Sequence, residues 1–294
     1  MESLSKLETQ TQTQSQFHAI RLLFKDKAFL ISAVVLAFIV LSSVFAPLIT
    51  PHSPDQMDIR SRLAPPVFFG EKGSIQHIFG TDGLGRDIAA RILFGLRTSL
   101  MIAFFSVLII FGIGIFVGLL SGIYGKTTDS VIMTMTDIQL SLPLLVIAVI
   151  LLAVASPTIL SITIVLGISG WPIYARATRS SVLRETKKDY ILAAKILGAS
   201  SFWILRKYFL KNVILSTLSF VVLEFGLMIV WEALLSFIGI GIQPPDISLG
   251  TIMGDGLNYL INAWWITTIP GLFITIITIS LSFMSRGIVK TLSA

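Results

Sequence analysis

Residues 99–123 read SLMIAFFSVLIIFGIGIFVGLLSGI and contain no charged side chain. A helix needs about 20 apolar residues to cross roughly 30 Å of hydrocarbon, so this stretch is long enough to span a membrane. Over all 294 residues, 54% are hydrophobic and 13% are charged. A soluble domain is about 45–50% apolar and about 25% charged. The composition therefore predicts an integral membrane protein.

Five further spans are predicted around this stretch. The run from Ile138 to Ala175 is uncharged but too long for one span, and Ser156-Pro157 divides it into two. Residues 247–261 are moderately apolar, rich in glycine and interrupted by Asp255, which favours a re-entrant or interfacial segment. We therefore expect an all-α membrane protein with six transmembrane helices, the remaining three lying at 28–46, 213–241 and 265–285.

The positions of Lys and Arg predict the orientation of the loops, because cytoplasmic loops carry an excess of basic residues. Residues 176–211 hold nine basic side chains, whereas residues 242–264 hold none. We therefore expect the first of these segments and both termini to be cytoplasmic, and the second to be external. The predicted external loop 47–98 strains the rule, since it carries six basic residues beside five acidic ones.

These features predict a linear organisation. A polar cytoplasmic tail at 1–27 precedes the first span at 28–46 and the external loop at 47–98. A five-helix core at 99–290 then contains a cytoplasmic loop at 176–212 and the external re-entrant segment at 242–264.

Several kinds of chemistry are excluded or left without support. The chain has no cysteine, which rules out disulfides and thiol catalysis. Its three histidines, His18, His52 and His77, do not have the spacing of metal ligands, so no metal site is expected. The net charge of +6 marks cytoplasmic loops and does not indicate nucleic-acid binding. No paired nucleophile or cofactor motif indicates a membrane-embedded enzyme, so we expect no catalytic residue.

Three glycines recur every four residues in the second span. Gly114, Gly118 and Gly122 therefore lie on one face of a helix. Small residues on one face allow two helices to approach closely in lipid. This pattern predicts a compact bundle and carries no information about a cargo.

The cytoplasmic segment 178–212 is the most informative loop. Residues 189–197 have a helical pattern, and Gly198 suits the end of a short helix. A second amphipathic stretch, 202–210, leads into the fifth span. Periodicity alone leaves two possibilities open: the segment lies on the membrane surface, or it docks in a groove of a soluble partner.

This segment resembles the EAA loop of ABC importer permeases, in which Glu-Ala-Ala is followed three residues later by Gly. Ala193, Ala194 and Gly198 match that pattern, whereas Leu192 occupies the Glu position. Leu210-Lys211-Asn212 stands where the family has Leu-Pro-Asn. The resemblance assigns ATPase coupling to the following residues: Asp189, Tyr190, Leu192, Ala193, Ala194, Gly198 and Ala199.

Further motifs are similar to the dipeptide, oligopeptide and nickel branch of this family. The run Gly80–Asp87 (GTDGLGRD) resembles its Gly-Thr-Asp-x-x-Gly-Arg-Asp sequence, and residues 232–245 (EALLSFIGIGIQPP) resemble another of its stretches. Gly170-Trp171-Pro172 also fits. The match runs from about residue 28 to the C-terminus, in the order and spacing of the family.

The resemblance implies a type I ABC importer permease fold in a bacterial inner (cytoplasmic) membrane. Its implied partners are a paralogous permease, two ATP-binding subunits, an extracytoplasmic substrate-binding protein and membrane lipid. The chain would form half of the translocation pathway, coupled through residues 178–212. It has no Gly-x-x-x-x-Gly-Lys-Ser/Thr sequence, so ATP and Mg²⁺ would bind the partner subunits and this chain would hold no cofactor.

The cargo stays open between related solutes. Di- or oligopeptides are expected, with nickel, a metallophore or another small solute as alternatives on the same architecture. A stand-alone secondary carrier is a further alternative. Such a carrier commonly shows two related halves, and no convincing internal repeat is evident here.

Two carboxylates lie within the fifth apolar run. Glu224 and Glu232 are eight residues apart, so both can face the bundle interior. A carboxylate at the bilayer centre is costly unless it is paired or hydrated. Each is therefore either a candidate for the translocation path or a structural hydrogen-bonding group.

Three charged side chains precede the second span. Asp82, Arg86 and Asp87 are candidates for contact with an external binding protein. The alternative is that they cap and neutralise a helix at the outer surface.

Overall fold

The computed structural model describes residues 25–69 and 75–292, and residues 1–24 of the predicted tail lie outside the described residues. The regular elements of the described chain are helices, with one isolated bridge between Thr81 and Asp87. They are α1 Lys27–Val44, α2 Ala46–Ile49, α3 Ile88–Tyr124, α4 Lys126–Leu140, α5 Leu144–Val154, α6 Ile159–Glu185, α7 Asp189–Ile196, α8 Ser201–Ile204, α9 Leu210–Phe237, α10 Leu249–Asp255 and α11 Trp265–Leu292.

Five of these helices, α1, α3, α6, α9 and α11, are long and apolar enough to cross a membrane. A sixth candidate span is the pair α4 and α5, which meet at an angle of 87°. The prediction of an all-helical protein with about six spans is confirmed. The segment predicted to be re-entrant contains only α10, which is too short to span a membrane.

The glycine face of α3 packs against α6. A methyl group at Gly118 would lie 2.6 Å from Cβ of Thr178, and one at Gly122 would lie 2.8 Å from Cβ of Val182. Both distances are shorter than a van der Waals contact, so only glycine permits this approach. Close packing of α3 against a second helix, as expected from the glycine spacing, is present in the structure.

The remaining helices assemble around this pair. Helix α9 contacts both α3 and α11, and α1 lies against α11. The short helix α10 is wedged between α3, α9 and α11. One end of the bundle carries residues 47–69, 75–87 and 242–264, which we call the loop end. The opposite end carries residues 186–209, which we call the α7 end.

Two helices extend beyond the apolar runs that predict the spans. Helix α3 begins at Ile88, before the predicted start at residue 99, since Asp87 accepts a hydrogen bond from the backbone N–H of Ala90 and caps the helix. The last residues of the segment predicted as the external loop 47–98 are therefore helical. Helix α6 continues to Glu185, so the first ten residues of the predicted cytoplasmic loop 176–212 are helical.

The third span also differs from its prediction. Helix α5 ends at Val154 and α6 begins at Ile159, on either side of Ser156-Pro157. Before α5, helix α4 starts at Lys126, well ahead of the apolar run that begins at residue 138. The helical structure is interrupted between Leu140, the end of α4, and Leu144, the start of α5. Pro143 lacks a backbone N–H and disfavours helical geometry at Leu142, which explains the break.

Replacing Gly118 with Val is expected to force α3 and α6 apart. Overpacking a close helix contact costs about 1–3 kcal/mol, so the melting temperature in detergent should fall. Gly112→Val on the same helix is the matched control, because no neighbouring atom lies within 4 Å of a methyl group there. Equal melting temperatures for the two variants would contradict the close packing.

Candidate functional site

The α7 end begins with a short helix that stops where the sequence predicts. Gly198 adopts a φ of +83°, a conformation that side chains other than glycine rarely tolerate. The backbone N–H of Ala199 donates to the carbonyl of Ala194 at 3.0 Å, which closes a Schellman motif around the glycine. The loop therefore turns sharply after α7 and presents this helix as a separate short segment.

One side of helix α7 packs against the bundle, and the apolar side chains on the other side are exposed. Ile191 is fully buried in an apolar cluster with Val182, Phe209 and Val213. In contrast, Ile196 and Leu197 are 86% and 87% exposed, and Leu192 is also exposed. Large apolar side chains held outward by a rigid anchor are typical of a surface that a partner covers.

The other predicted coupling residues lie along the same segment. Asp189 and Tyr190 are exposed at the start of α7, and the Tyr190 ring lies 5.2 Å from that of Tyr208. Ala193 is exposed and Ala194 is half-buried. The structure thus brings all seven predicted residues onto one helix and its C-terminal turn.

The stretch after α7 contains a feature that the sequence did not predict. Residues Leu205–Phe209 form a π-helical turn that runs directly into α9. Beside it, the Lys207 ammonium lies 4.5 Å from the ring centroid of Trp203. The periodicity of residues 202–210 indicated an amphipathic helix, and a single π turn leaves no separate signal in a stretch this short.

Glu232 is a buried junction between three helices. It is fully buried, and its carboxylate accepts hydrogen bonds from the hydroxyls of Ser99 (2.6 Å) and Ser236 (2.7 Å). The Ser236 hydroxyl accepts in turn from the backbone N–H of Ile242, and the Ser99 hydroxyl from that of Leu249. This arrangement joins α3, α9 and the start of α10, which favours the structural alternative for Glu232.

Glu224 lies deeper in α9 and is also buried. The hydroxyl of Tyr174 in α6 donates to its carboxylate, and the Tyr174 ring packs against Phe111 of α3, with centroids 4.3 Å apart. Both carboxylates therefore face the bundle interior, as their spacing predicted. A role of Glu224 on a translocation path stays a prediction.

At the loop end, four charged side chains form one network. Asp82 accepts from Nε of Arg86 at 2.6 Å and from Nη1 of Arg91 at 2.7 Å. Asp255 binds the same two arginines, with 3.1 Å to Arg86 and 2.9 Å to Arg91. The network fastens α10 to the segment before α3.

Sequence reasoning missed two members of this network. Arg91 falls within the predicted external loop 47–98, and Asp255 is predicted only as an interruption of an apolar segment. A lone carboxylate in such a segment is a signal, because it must find a cation to remain charged there. The partner could not be identified from spacing alone, since 164 residues separate the two side chains.

The predicted binding-protein contacts fall in and beside this network. Asp82 and Asp87 are buried, and Asp87 both caps α3 and contacts Nδ1 of His77 at 2.9 Å. Asp87 therefore has the helix-capping role that the sequence offers as the alternative to partner contact. Contact with a partner stays a prediction, and Arg86 is the more accessible of the three side chains.

Beside the network lies a cavity of about 510 Å³ at the loop end. Arg86, Arg91 and Asp255 contribute to its wall, together with residues 236–239 and 242–247. Among the described residues, no group of three or more His, Cys, Asp or Glu side chains is placed to hold a metal ion.

Comparison with known families matches two parts of the chain. Residues 114–294 match the model described as binding-protein-dependent transport system inner membrane component. Residues 15–66 match the N-terminal transmembrane domain of oligopeptide transport permease C.

Individual relatives cover almost the whole chain. The di/tripeptide transport system permease protein DppC of Pseudomonas aeruginosa is 33% identical over 90% of this chain and 86% of its own length. The dipeptide transport system permease protein DppC of Bacillus subtilis is 32% identical over 92% and 82%, respectively. In fold, this chain is similar to a chain in an inward-facing structure of the MetNI methionine ABC transporter, with a TM-score of 0.58 and 19% sequence identity. The superposition covers 70% of this chain and 98% of the MetNI chain.

Replacing Arg91 with Met is expected to destabilise the loop end strongly. It leaves the buried carboxylate of Asp82 without one of its cations, and breaking a buried pair in this way costs about 3–5 kcal/mol. Arg97→Met is the matched control, because Arg97 is exposed on the same helix. Thermal unfolding in detergent measures the difference, and a similar shift for both variants would show that the network contributes little.

Proposed function

The chain belongs to the binding-protein-dependent transport system inner membrane components, and from this membership we propose that it is the permease subunit of an ABC importer for di- or oligopeptides. The observation that carries the proposal is the apolar surface of α7, held outward at one end of a membrane-spanning bundle. The names of the relatives, which refer to dipeptide and di/tripeptide transport, support peptide as the cargo.

We propose that the permease couples to ATP hydrolysis through α7. The chain lacks a phosphate-binding Gly-x-x-x-x-Gly-Lys-Ser/Thr sequence, so ATP and Mg²⁺ bind two partner subunits. Leu192, Ile196 and Leu197 then enter a groove on one of these subunits, while Ile191 fixes α7 to the bundle. Closure of the ATPase pair moves α7, and α7 moves the helices to which it is anchored.

The remaining assembly follows from this arrangement. A paralogous permease completes the pathway, and an extracytoplasmic binding protein delivers the cargo to the loop end. In this orientation the α7 end and both termini are cytoplasmic, which agrees with the nine basic residues at 176–211.

Reconstitution of the chain with its paralogous permease, two ATPase subunits and binding protein in proteoliposomes tests the proposed function. We expect uptake of a radiolabelled dipeptide that requires both ATP and the binding protein. ATP-dependent uptake of nickel without uptake of peptide would change the cargo, and uptake without ATP would favour a secondary carrier. In the same assay, unchanged uptake by Glu224→Gln would remove Glu224 from the pathway.

The docking role of α7 is tested by Leu197→Asp. A buried apolar anchor contributes about 2 kcal/mol to an interface, so this charge should weaken co-purification of the ATPase subunits roughly thirtyfold. Ile261→Asp is the matched control, because Ile261 is even more exposed than Leu197 but lies at the loop end. Retention of the ATPase by Leu197→Asp would place the docking surface elsewhere.

A further inference from the structure

Helix α6 contains a proline that leaves a backbone acceptor without its usual donor. Pro172 has no N–H, so the carbonyl of Ile168, four residues earlier, receives no helical hydrogen bond from it. Where lipid or protein surrounds a helix, such a freed carbonyl needs another donor. The nearest serine hydroxyl in α6, that of Ser169, donates instead to the carbonyl of Val165.

The missing donor comes from another helix. Nε2 of Gln139, near the end of α4, donates to the carbonyl of Ile168 at 2.9 Å and to that of Ser169 at 3.1 Å. One side-chain amide thus replaces the backbone N–H that Pro172 lacks. Gln139 lies only a few residues before Pro143, next to the 87° bend between α4 and α5.

Two ion pairs join the same helices. Asp137 pairs with Arg176, and Asp129 pairs with Arg179, whose Nη2 lies 2.5 Å from Oδ2. We call these two pairs and the Gln139 contact the α4–α6 clasp. The contacts run in antiparallel order, since positions along α4 rise as those along α6 fall.

The three contacts differ in strength and in specificity. Arg176 and Asp137 are both more than half exposed, and exposed ion pairs contribute little because water and salt screen them. Arg179 and Asp129 are 30% and 21% exposed and form a stronger pair. The Gln139 contact differs from both pairs because it serves the Ile168 carbonyl, which has no helical donor. It is therefore the contact that ties α4 to the position of Pro172 in α6.

The position of the clasp relates it to coupling. Helix α6 ends at Glu185, and the docking helix α7 follows it at Asp189 after three residues. Helix α4, which the clasp joins to α6, ends at the bend that leads into α5. A displacement of α7 reaches the bent pair through α6 and then through this clasp.

We propose that Gln139 is a positioning residue that joins α6 at Pro172 to the α4–α5 bend, so that the two helices move together when the ATPases move α7. The inference rests on the proposed function as an ABC importer. Loss of the amide donor would let α6 move without carrying α4, and ATP would be hydrolysed with less transport.

A double-mutant cycle tests this joint. Gln139→Leu removes the donor, and Pro172→Ala restores a backbone N–H that can serve Ile168. We expect Gln139→Leu to lower both the melting temperature and the peptide taken up per ATP hydrolysed, the latter several-fold. In the Pro172→Ala background, both losses should shrink by at least half.

Thr134→Val is the matched control. The Thr134 hydroxyl lies on the same helix as Gln139 and also donates to a backbone carbonyl, but that carbonyl belongs to Ser130 of α4 itself, at 2.8 Å. Its substitution should leave the uptake per ATP unchanged, and any loss of stability should be the same in the wild-type and Pro172→Ala backgrounds.

The outcomes separate the inference from the proposed function. Equal losses for Gln139→Leu in both backgrounds would overturn the link to Pro172, and an unchanged uptake per ATP would overturn the positioning role. If Pro172→Ala does not fold, the ratio of uptake to hydrolysis in Gln139→Leu against Thr134→Val decides alone. A wild-type complex that transports no peptide contradicts the proposed cargo, whereas the melting cycle on the purified chain still reports the contact.

Discussion

The close contact between α3 and α6 is the constraint on which the other positions depend. Gly118 and Gly122 remove the side chains that would hold the two backbones apart, and Thr178 and Val182 occupy the space. Helix α3 carries the arginine and serine that bind α10 and α9 near the loop end. Helix α6 leads into α7 at the opposite end. One helix pair therefore sets the geometry of both ends of the molecule.

The two carboxylates buried in α9, and the carbonyl that Pro172 leaves without its helical donor, each have a specific partner. Glu232 receives two serine hydroxyls, Glu224 receives a tyrosine hydroxyl, and the Ile168 carbonyl receives an amide. In an apolar surrounding, an unpaired group of this kind costs several kcal/mol, so the partners cannot be exchanged freely. Packing gives the bundle its compactness, and these contacts give its helices their register.

The sequence was sufficient for features that depend on near neighbours. Uncharged runs located the spans, four-residue spacing of glycines located a close helix contact, and Gly198 located the end of α7. Contacts between distant residues were not accessible in the same way. The charge of Arg91 predicts a loop position before the apolar run, although Asp82 and Asp255 neutralise this side chain within a helix. The α4–α5 bend was missed because the apolar run continues through Pro143, and the π turn because its residues fit an ordinary helix.

The buried junction at Glu232 has a consequence for the way the chain is made. A carboxylic acid enters a bilayer at a high energetic cost when no partner is present. Ser99 precedes Glu232 by 133 residues, so the ribosome delivers the hydroxyl to the membrane well before the carboxyl group that needs it. Arg86 and Arg91 likewise emerge before Asp255. During biogenesis, the partners of Glu232 and Asp255 are therefore synthesised before these two acidic side chains.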